Sequence, residues 1–352
     1  MKLLFVARRF PPDVRSGTET VFENLVAEAR RAGHDVHLVC GFRHDRSGVP
    51  ADATAVDLRG RTTSAWGRMA HAAIMAARRV GPEVVLSNSI EVVVPGVPTV
   101  TIVHDVNFGG AGTGGASAAR RTFYRAQSLA LARVVAVSDV TRAALVRLGV
   151  PAAKVVTIHN GVALDHFRPA PRTPDDQVRF VHVSRIMPGK GQHCALDALG
   201  RMRPDQRKHF RLDIVGTVVD KLYADQLRLQ AWNLPVGFHF DVPDVLPWYQ
   251  SADVALFPTR MPEGFGYGAI EAMAVGLPVV NFDDDAVREA SGGHTVTVPR
   301  EDVVGLRDAM LRLAADPAER ARRSAEGREW VARYRWDTTW RTYERLLESV
   351  RR

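Results

Sequence analysis

Short apolar runs alternate with longer amphipathic stretches from the first residues onward, and nothing else in the sequence constrains the fold as tightly. Lys2–Ala7 reads as a strand, Thr18–Ala32 as a helix and Asp35–Cys40 as a second strand, a βαβ opening. The helix places Val21, Phe22, Leu25, Val26 and Ala29 on one face, and Gly33 supplies its stop. Further strands are expected near Glu83–Leu86, Thr99–Val103, Arg133–Val137 and Lys154–Ile158, separated by helices over Ser64–Arg79, Ala116–Leu131 and Asp139–Leu148. Strands joined through helices run parallel, so the first half is expected to be a doubly wound α/β sheet.

Pro169, Pro171 and Pro174 then exclude helix or central strand from Phe167–Asp176, which reads as an interdomain linker. The alternation restarts after it. Strands are expected at Arg179–Ser184, Arg211–Val215, Val236–Phe240, Asp253–Phe257 and Pro278–Phe282, with helices near Lys190–Leu199, Lys221–Trp232, Val245–Tyr249 and Tyr267–Val275. A chain of 352 residues exceeds what one core supports, and two domains of roughly 150 to 180 residues with a cleft between them fit it. Near the carboxyl end Trp336, Trp340, Tyr343, Leu347 and Val350 recur at spacings of three and four. They form one apolar stripe that needs a surface to pack on, in the second-domain core or elsewhere.

With 46% apolar and 24% charged residues the composition is that of a globular protein, which excludes disordered and fibrous classes. Cys40 and Cys194 lie far apart in apolar patterns and read as reduced core residues of a cytoplasmic protein. Met1–Ala7 enters a strand directly, without a signal-peptide pattern. The longest apolar run, around Val92–Val103, is broken by Pro and Gly and falls short of the roughly 18 residues that span a bilayer. The +8 net charge resides in residues 1–168, with 21 Lys+Arg against 13 Asp+Glu, while residues 169–352 hold 26 of each. That one-sided balance suits an anionic substrate or a membrane surface, although an arginine-rich composition alone would produce it. Nucleic acid is not expected as a partner, because no zinc, RRM or KH pattern occurs and aromatics are not interleaved with basic clusters.

Chemistry-bearing residues gather where strand ends meet helix starts, the place where open α/β sheets bind ligands. In Val183-Ser184-Arg185-Ile186-Met187-Pro188-Gly189-Lys190-Gly191 a strand ends and a helix is expected from Lys190, so two cations crown one crevice and suit a diphosphate. An arbitrary Arg and Lys would instead be solvated surface charges. In Pro262-Glu263-Gly264-Phe265-Gly266-Tyr267-Gly268, followed by Ala269-Ile270-Glu271, glycines let backbone amides approach an anion. Glu263 and Glu271 can both face the cleft, where carboxylates suit sugar or ribose hydroxyls. Taken alone, a glycine turn with two glutamates fits a helix cap or a salt bridge as well.

Arg185, Lys190, Glu263 and Glu271, followed by Ala272-Met273-Ala274-Val275-Gly276-Leu277-Pro278-Val279-Val280, closely resemble the retaining glycosyltransferases of family 4, which have the GT-B fold. The two glutamates match that family's pair separated by seven residues. Phe10-Pro11-Pro12, Ser16-Gly17-Thr18-Glu19, Gly33-His34-Asp35-Val36 and His159-Asn160-Gly161-Val162 are similar to its other landmarks, so the likeness covers nearly the whole chain. It implies two Rossmann-like domains facing across a cleft. Residues 1–166 would bind the acceptor, 167–176 would link, and 177–335 would bind a UDP-, GDP- or ADP-sugar. The final helix, 336–352, would cross back to the first domain.

By the same resemblance Arg185 and Lys190 hold the diphosphate, Glu271 the ribose hydroxyls and Glu263 a hydroxyl of the donor sugar. Gly264, Phe265 and Gly266 lie in the donor turn, Gly17 lies in a first-domain loop near the diphosphate, and His104 stands near the sugar at the reaction centre. A lone histidine after a strand is otherwise more often structural. Fixed cations aimed at the departing oxygens do what a divalent metal does elsewhere, so neither metal nor cofactor is expected. No carboxylate nucleophile can be assigned, and attack from the face of departure fits a retaining enzyme.

Two departures stand out. Asp285 and Ala286 replace the glycine pair usual before the equivalent of Glu289, and Ser184 replaces the glycine usual before Arg185. Asp283-Asp284-Asp285 also admits a metal-binding reading. On the acceptor side, Gly109–Gly115 reads as a mobile lid next to Asp105 and above a helix carrying Arg120, Arg121 and Arg125. This favours an anionic glycan or lipid-linked acceptor, with peripheral contact at the inner membrane face. A disordered loop beside a solvated helix fits the same residues. Two further readings share the fold: a nucleotide-sugar epimerase, and a non-catalytic partner that only binds nucleotide sugar.

Overall fold

A computed structural model describes residues 1–8, 10, 17–43, 46, 49–59, 62–104, 118–171 and 176–351, without the side chains of 62–64, 66 and 118–120. The chain divides into two compact units, Met1–Gly161 with Trp336–Arg352, and Val162–Arg335.

In the first unit the elements run β1 (Lys2–Ala7), α1 (Gly17–Arg31), β2 (Asp35–Phe42), β3 (Thr54–Asp57), α2 (Thr62–Val80), β4 (Val84–Ser87), β5 (Thr99–Val103), α3 (Ala118–Ala130), β6 (Arg133–Ala136), α4 (Asp139–Arg147) and β7 (Val155–Thr157). The sheet order is β3-β2-β1-β4-β5-β6-β7, every pairing parallel. Because β1 is flanked on both sides, Leu3 to Ala7 are all buried. The expected face of α1 is the buried one, and Phe22 meets Phe5 edge-on with ring centroids 5.5 Å apart. Gly33 ends the helix in a left-handed conformation, φ 82°. The sequence did not announce β3, whose four residues at a sheet edge are too few to show alternation.

The second unit runs β8 (Val178–Val183), α5 (Gln192–Gly200), the single turn α6 (Pro204–Arg207), β9 (Phe210–Gly216), α7 (Lys221–Gln230), β10 (Val236–Phe240), α8 (Leu246–Ser251), β11 (Val254–Phe257), α9 (Tyr267–Val275), β12 (Val279–Phe282), α10 (Asp285–Ser291), β13 (Val296–Val298), α11 (Val303–Ala315) and α12 (Pro317–Val331). Its sheet is again wholly parallel, in the order β10-β9-β8-β11-β12-β13. Counted from its own first strand this is 3-2-1-4-5-6, and the order reverses between β8 and β11. Phe180, Leu212, Ile214, Val254, Leu256, Val280 and Phe282 form the middle of the core. Phe167 belongs to this unit and packs edge-on against Tyr249, 6.2 Å between centroids, while Gln250 donates to the Arg168 carbonyl at 2.8 Å.

The last helix, α13 (Trp336–Val350), belongs to the first unit and lies on α1. Trp336, Trp340, Tyr343 and Leu347 are buried, and the Trp340 ring meets His34 edge-on at 5.6 Å. Cys40 and Cys194 are buried free thiols, and burial pushes their pKa values up to about 12 and about 11. Among the described residues no helix is long and apolar enough to cross a membrane.

Candidate functional site

The reversal between β8 and β11 leaves a crevice at their carboxyl ends, and the loops that follow these two strands fill it with charge. After β8 the chain makes a 3-10 turn over Pro188–Lys190 and α5 begins only at Gln192. The helix start expected at Lys190 is thereby corrected. Gly191, left-handed with φ 74°, separates turn from helix, and a Cβ there would stand 1.9 Å from the Pro258 carbonyl oxygen. Only glycine lets the loop after β8 lie so closely on the loop after β11.

That contact brings Lys190 to Glu263, 73 positions later. Lys190 Nζ donates to Glu263 Oε1 at 2.5 Å, and the two side chains are only 10% and 13% exposed. Thr259 Oγ1 donates to the same oxygen at 2.9 Å, and the Phe257 ring lies 5.9 Å from Nζ. Beneath the lysine, His182 is buried; desolvation first and the Lys190 charge second lower its pKa to about 3, so its ring is neutral. Arg185 is exposed, and its guanidinium has no partner among the described residues. Its carbonyl is held by Gln192 Nε2 at 2.8 Å.

Gly266 caps α9 in the left-handed region, φ 83°, where a Cβ would fall 2.8 Å from Val287 Cγ2. Glu271 lies one turn into α9. Its carboxyl has no hydrogen bond among the described residues, and burial raises its pKa to about 8, so at neutral pH it carries its proton. Tyr249 donates to the Gly268 carbonyl at 3.1 Å on the same helix turn. The glutamate pair is therefore asymmetric, one member ion-paired and the other protonated and unpartnered.

The aspartate triplet has structural employment. Asp283 and Asp285 both pair with Arg288, the second at 2.7 Å. Asp284 is buried and caps α10, accepting from Ala286 and Val287 amides at 3.1 Å each.

The remaining expected residues belong to the first unit. His104 follows β5 with Nε2 buried and without a partner among the described residues, and desolvation lowers its pKa to about 4, leaving the ring neutral. Gly17 opens α1 and is exposed. Arg121 and Arg125 stand exposed one turn apart on α3, with no partner among the described residues. Asp105, Gly109–Gly115 and the Arg120 side chain lie outside the described residues. Lys190, Glu263 and Phe265 are thus gathered in one unit, with Arg185 and Glu271 on the loops and helix beside them, while His104, Gly17, Arg121 and Arg125 are held by the other.

Residues 15–166 match the family described as Glycosyltransferase Family 4, and residues 177–316 match Glycosyl transferases group 1. The chain belongs to the family 4 glycosyltransferases. It is 34% identical over 229 residues to the phosphatidyl-myo-inositol mannosyltransferase of Mycobacterium leprae, a match covering 61% of this chain and 59% of that protein. The chain thus spans less than two thirds of that relative. With glycogen synthase of Mycobacterium tuberculosis it is 28% identical over 397 residues, 99% of this chain and 94% of the other. The crystal structure of Anabaena HepE with UDP and glucose superimposes with a TM-score of 0.81 at 18% identity, over 99% of this chain and all of that one. The fold is GT-B.

Where this glycosyltransferase departs from its family's pattern, the structure supplies partners. Ser184 Oγ, in place of a glycine, accepts from Gln192 Nε2 at 2.9 Å and lies 3.1 Å from His182 Nε2. Thr259, Gln192 and Arg300 were not singled out from sequence, and Asp284 only within a triplet that admits a metal. A signal existed for Asp284, since an aspartate before Asp-Ala-Val-Arg-Glu-Ala is an N-cap pattern. Thr259 and Gln192 bond within their own loops, to Glu263 and to Ser184 and Arg185, whereas Arg300 acquires its partners only through the parallel strand order.

Proposed function

We propose that this protein transfers a sugar from a nucleoside diphosphate sugar to an acceptor, with retention at the anomeric carbon and without a divalent metal. The observation that carries this reading is the largely buried Lys190–Glu263 pair beside an unpaired Arg185, at the crevice between β8 and β11. Breaking the anomeric bond leaves negative charge on the diphosphate, and preorganised cations in a water-poor crevice stabilise it as it develops. Lys190 is fixed by Glu263 before substrate arrives, whereas Arg185 swings in from solvent. Glu271, protonated when empty, accepts the ribose hydroxyls and gives up its proton as they bind. Glu263 keeps its remaining acceptor capacity for a hydroxyl of the sugar. His104 serves as a neutral hydrogen-bonding group rather than a cation. Arg121 and Arg125 favour an anionic acceptor, including one presented at a membrane surface, where exposed cations add affinity.

The test is a thermal-shift screen of UDP-, GDP- and ADP-sugars, followed by turnover of the stabilising donor with and without EDTA. The reading expects one nucleotide class to raise the melting temperature and its sugar to be released or transferred undiminished in chelator. Turnover that disappears with EDTA would return a metal to the mechanism. Sugars interconverted with nucleotide still attached would mark an epimerase, and a donor bound and released unchanged would mark a silent partner.

A further inference from the structure

Asp284 uses both carboxylate oxygens. Oδ1 alone caps α10, which is all a helix start requires. Oδ2 turns the other way and accepts the main-chain N–H of Glu263 at 3.2 Å and Arg300 Nη2 at 3.2 Å. With its side chain only 4% exposed, this carboxylate is retained in the interior by four donors rather than by solvent.

Arg300 extends the connection. Its guanidinium also donates to the Asp283 carbonyl, 3.1 Å from Nη2, and through Nη1 to the Arg260 carbonyl at 3.0 Å. One planar fork thus joins the loop after β11, the loop after β12 and its own loop after β13. The next residue, Glu301, is held at φ 65°, a conformation that side-chain-bearing residues disfavour. Its carboxylate meets the Arg260 side chain at 2.6 Å. Two consecutive residues therefore grip Arg260, one by its main chain and one by its side chain, three positions before Glu263. The Glu263 carboxylate is itself held by Lys190 and Thr259.

We propose that Asp284 and Arg300 are positioning residues that hold the Glu263 main chain so that its carboxylate meets the donor sugar. The proposal rests on the donor-site reading above. It separates two parts of one substrate: Arg185 and Glu271 hold the nucleotide without touching the clamp, and Lys190, which shares Glu263 with it, keeps its charge there, so loosening the clamp disturbs the sugar far more than the nucleotide.

Asp284→Asn distinguishes clamp from cap. Asparagine caps helices as well as aspartate does, but its NH2 would face the Glu263 N–H and the Arg300 guanidinium. Arg300→Gln cuts the fork, and Arg300→Lys keeps a charge that cannot reach three acceptors at once. With the nucleotide that most stabilises the wild type, Asp284→Asn and Arg300→Gln should bind the sugar-free diphosphate within about twofold of wild type. Turnover of the nucleotide sugar should fall about tenfold or more, with partial recovery in Arg300→Lys. Amide hydrogen exchange gives a second readout independent of activity. In Asp284→Asn the Glu263 amide should exchange about tenfold faster while the Ala286 and Val287 amides keep their protection. Unchanged turnover, or unchanged exchange at Glu263, overturns the proposal. So does a parallel loss of diphosphate affinity and melting temperature, which would make the pair a plain structural brace. A wild type that binds none of the nucleotides refutes the donor-site reading itself, and with it any service of the clamp to a sugar.

Discussion

Both sheets reverse their strand order in the same way, between β1 and β4 in the first unit and between β8 and β11 in the second, yet the described side chains at the strand ends differ. In the first unit the Arg8 amide donates to Asn88 Oδ1 at 3.0 Å across the reversal, and the neighbouring β5 leads to a neutral His104. In the second, the reversal holds the Lys190–Glu263 ion pair, with Arg185 beside it in solvent and Glu271 protonated on the following helix. A shared strand order supplies a crevice in each. What enters is decided by a few side chains, and the proposed donor site rests on those of the second crevice.

The largest effect that could break this contrast comes from Lys190→Ala. It removes a fixed cation, which should cost about 3 kcal/mol of transition-state stabilisation, a loss of roughly 150-fold in kcat/KM. It also leaves Glu263 buried without its partner, which should destabilise the fold by about 3 kcal/mol. The double variant Lys190→Met with Glu263→Leu separates the two consequences. Its melting temperature should return toward wild type while transfer stays lost, because matched apolar residues replace a buried pair without replacing its chemistry. A Lys190→Ala enzyme of undiminished rate would mean that the charged crevice is not the donor site.

That pair was only half legible in the sequence. Period-two and period-3.6 patterns disclosed the strands and helices, including the buried face of α1, because burial in a parallel sheet leaves long apolar runs. Glu263, Glu271, Arg185 and Lys190 were legible as residues. Their partnerships were not, since Lys190 meets Glu263 only because β8 and β11 are neighbours, a fact of strand order that no local pattern encodes. The same holds for Arg300, which gains three acceptors from loops 16 to 40 positions away. The triplet Asp283–Asp285 admitted a metal-binding reading because three acidic residues in a row obscure a cap followed by the seven-residue helix α10. Three-residue β13 was too short to register at all.

Glu271 offers a sharper and smaller test. Its folded pKa, about 8, lies above the ordinary 4.5, so between these values the folded state binds more protons than the unfolded one. Stability must then decline as pH rises through that window. Glu271→Gln removes the titration, and its melting temperature should gain on wild type steadily from pH 5 to pH 8. Nucleotide binding should behave inversely in the wild type. Hydroxyls that donate to the carboxylate favour its charged form, so affinity should strengthen toward pH 8, and Glu271→Gln should abolish that trend along with part of the affinity. A variant whose melting-temperature difference from wild type does not change with pH would show that the carboxyl is solvated.

His104 in the first unit should give the mirror image, at lower amplitude because its pKa shift is the smaller of the two. Its folded pKa, about 4, lies below the usual 6.5, so in that interval the folded state binds fewer protons than the unfolded. Stability then falls as pH drops from 6.5 toward 4. His104→Gln should gain on wild type as the solution is acidified, by a few degrees at most, and should match it above pH 7. Plotted together, the melting-temperature differences of His104→Gln and Glu271→Gln should diverge in opposite directions from neutrality, one growing in acid and the other in base. If both grew in acid, the glutamate would not be the desolvated group it is taken for; if His104→Gln were flat, the imidazole would be open to water. Either result would erase the contrast between the two units at His104 and Glu271.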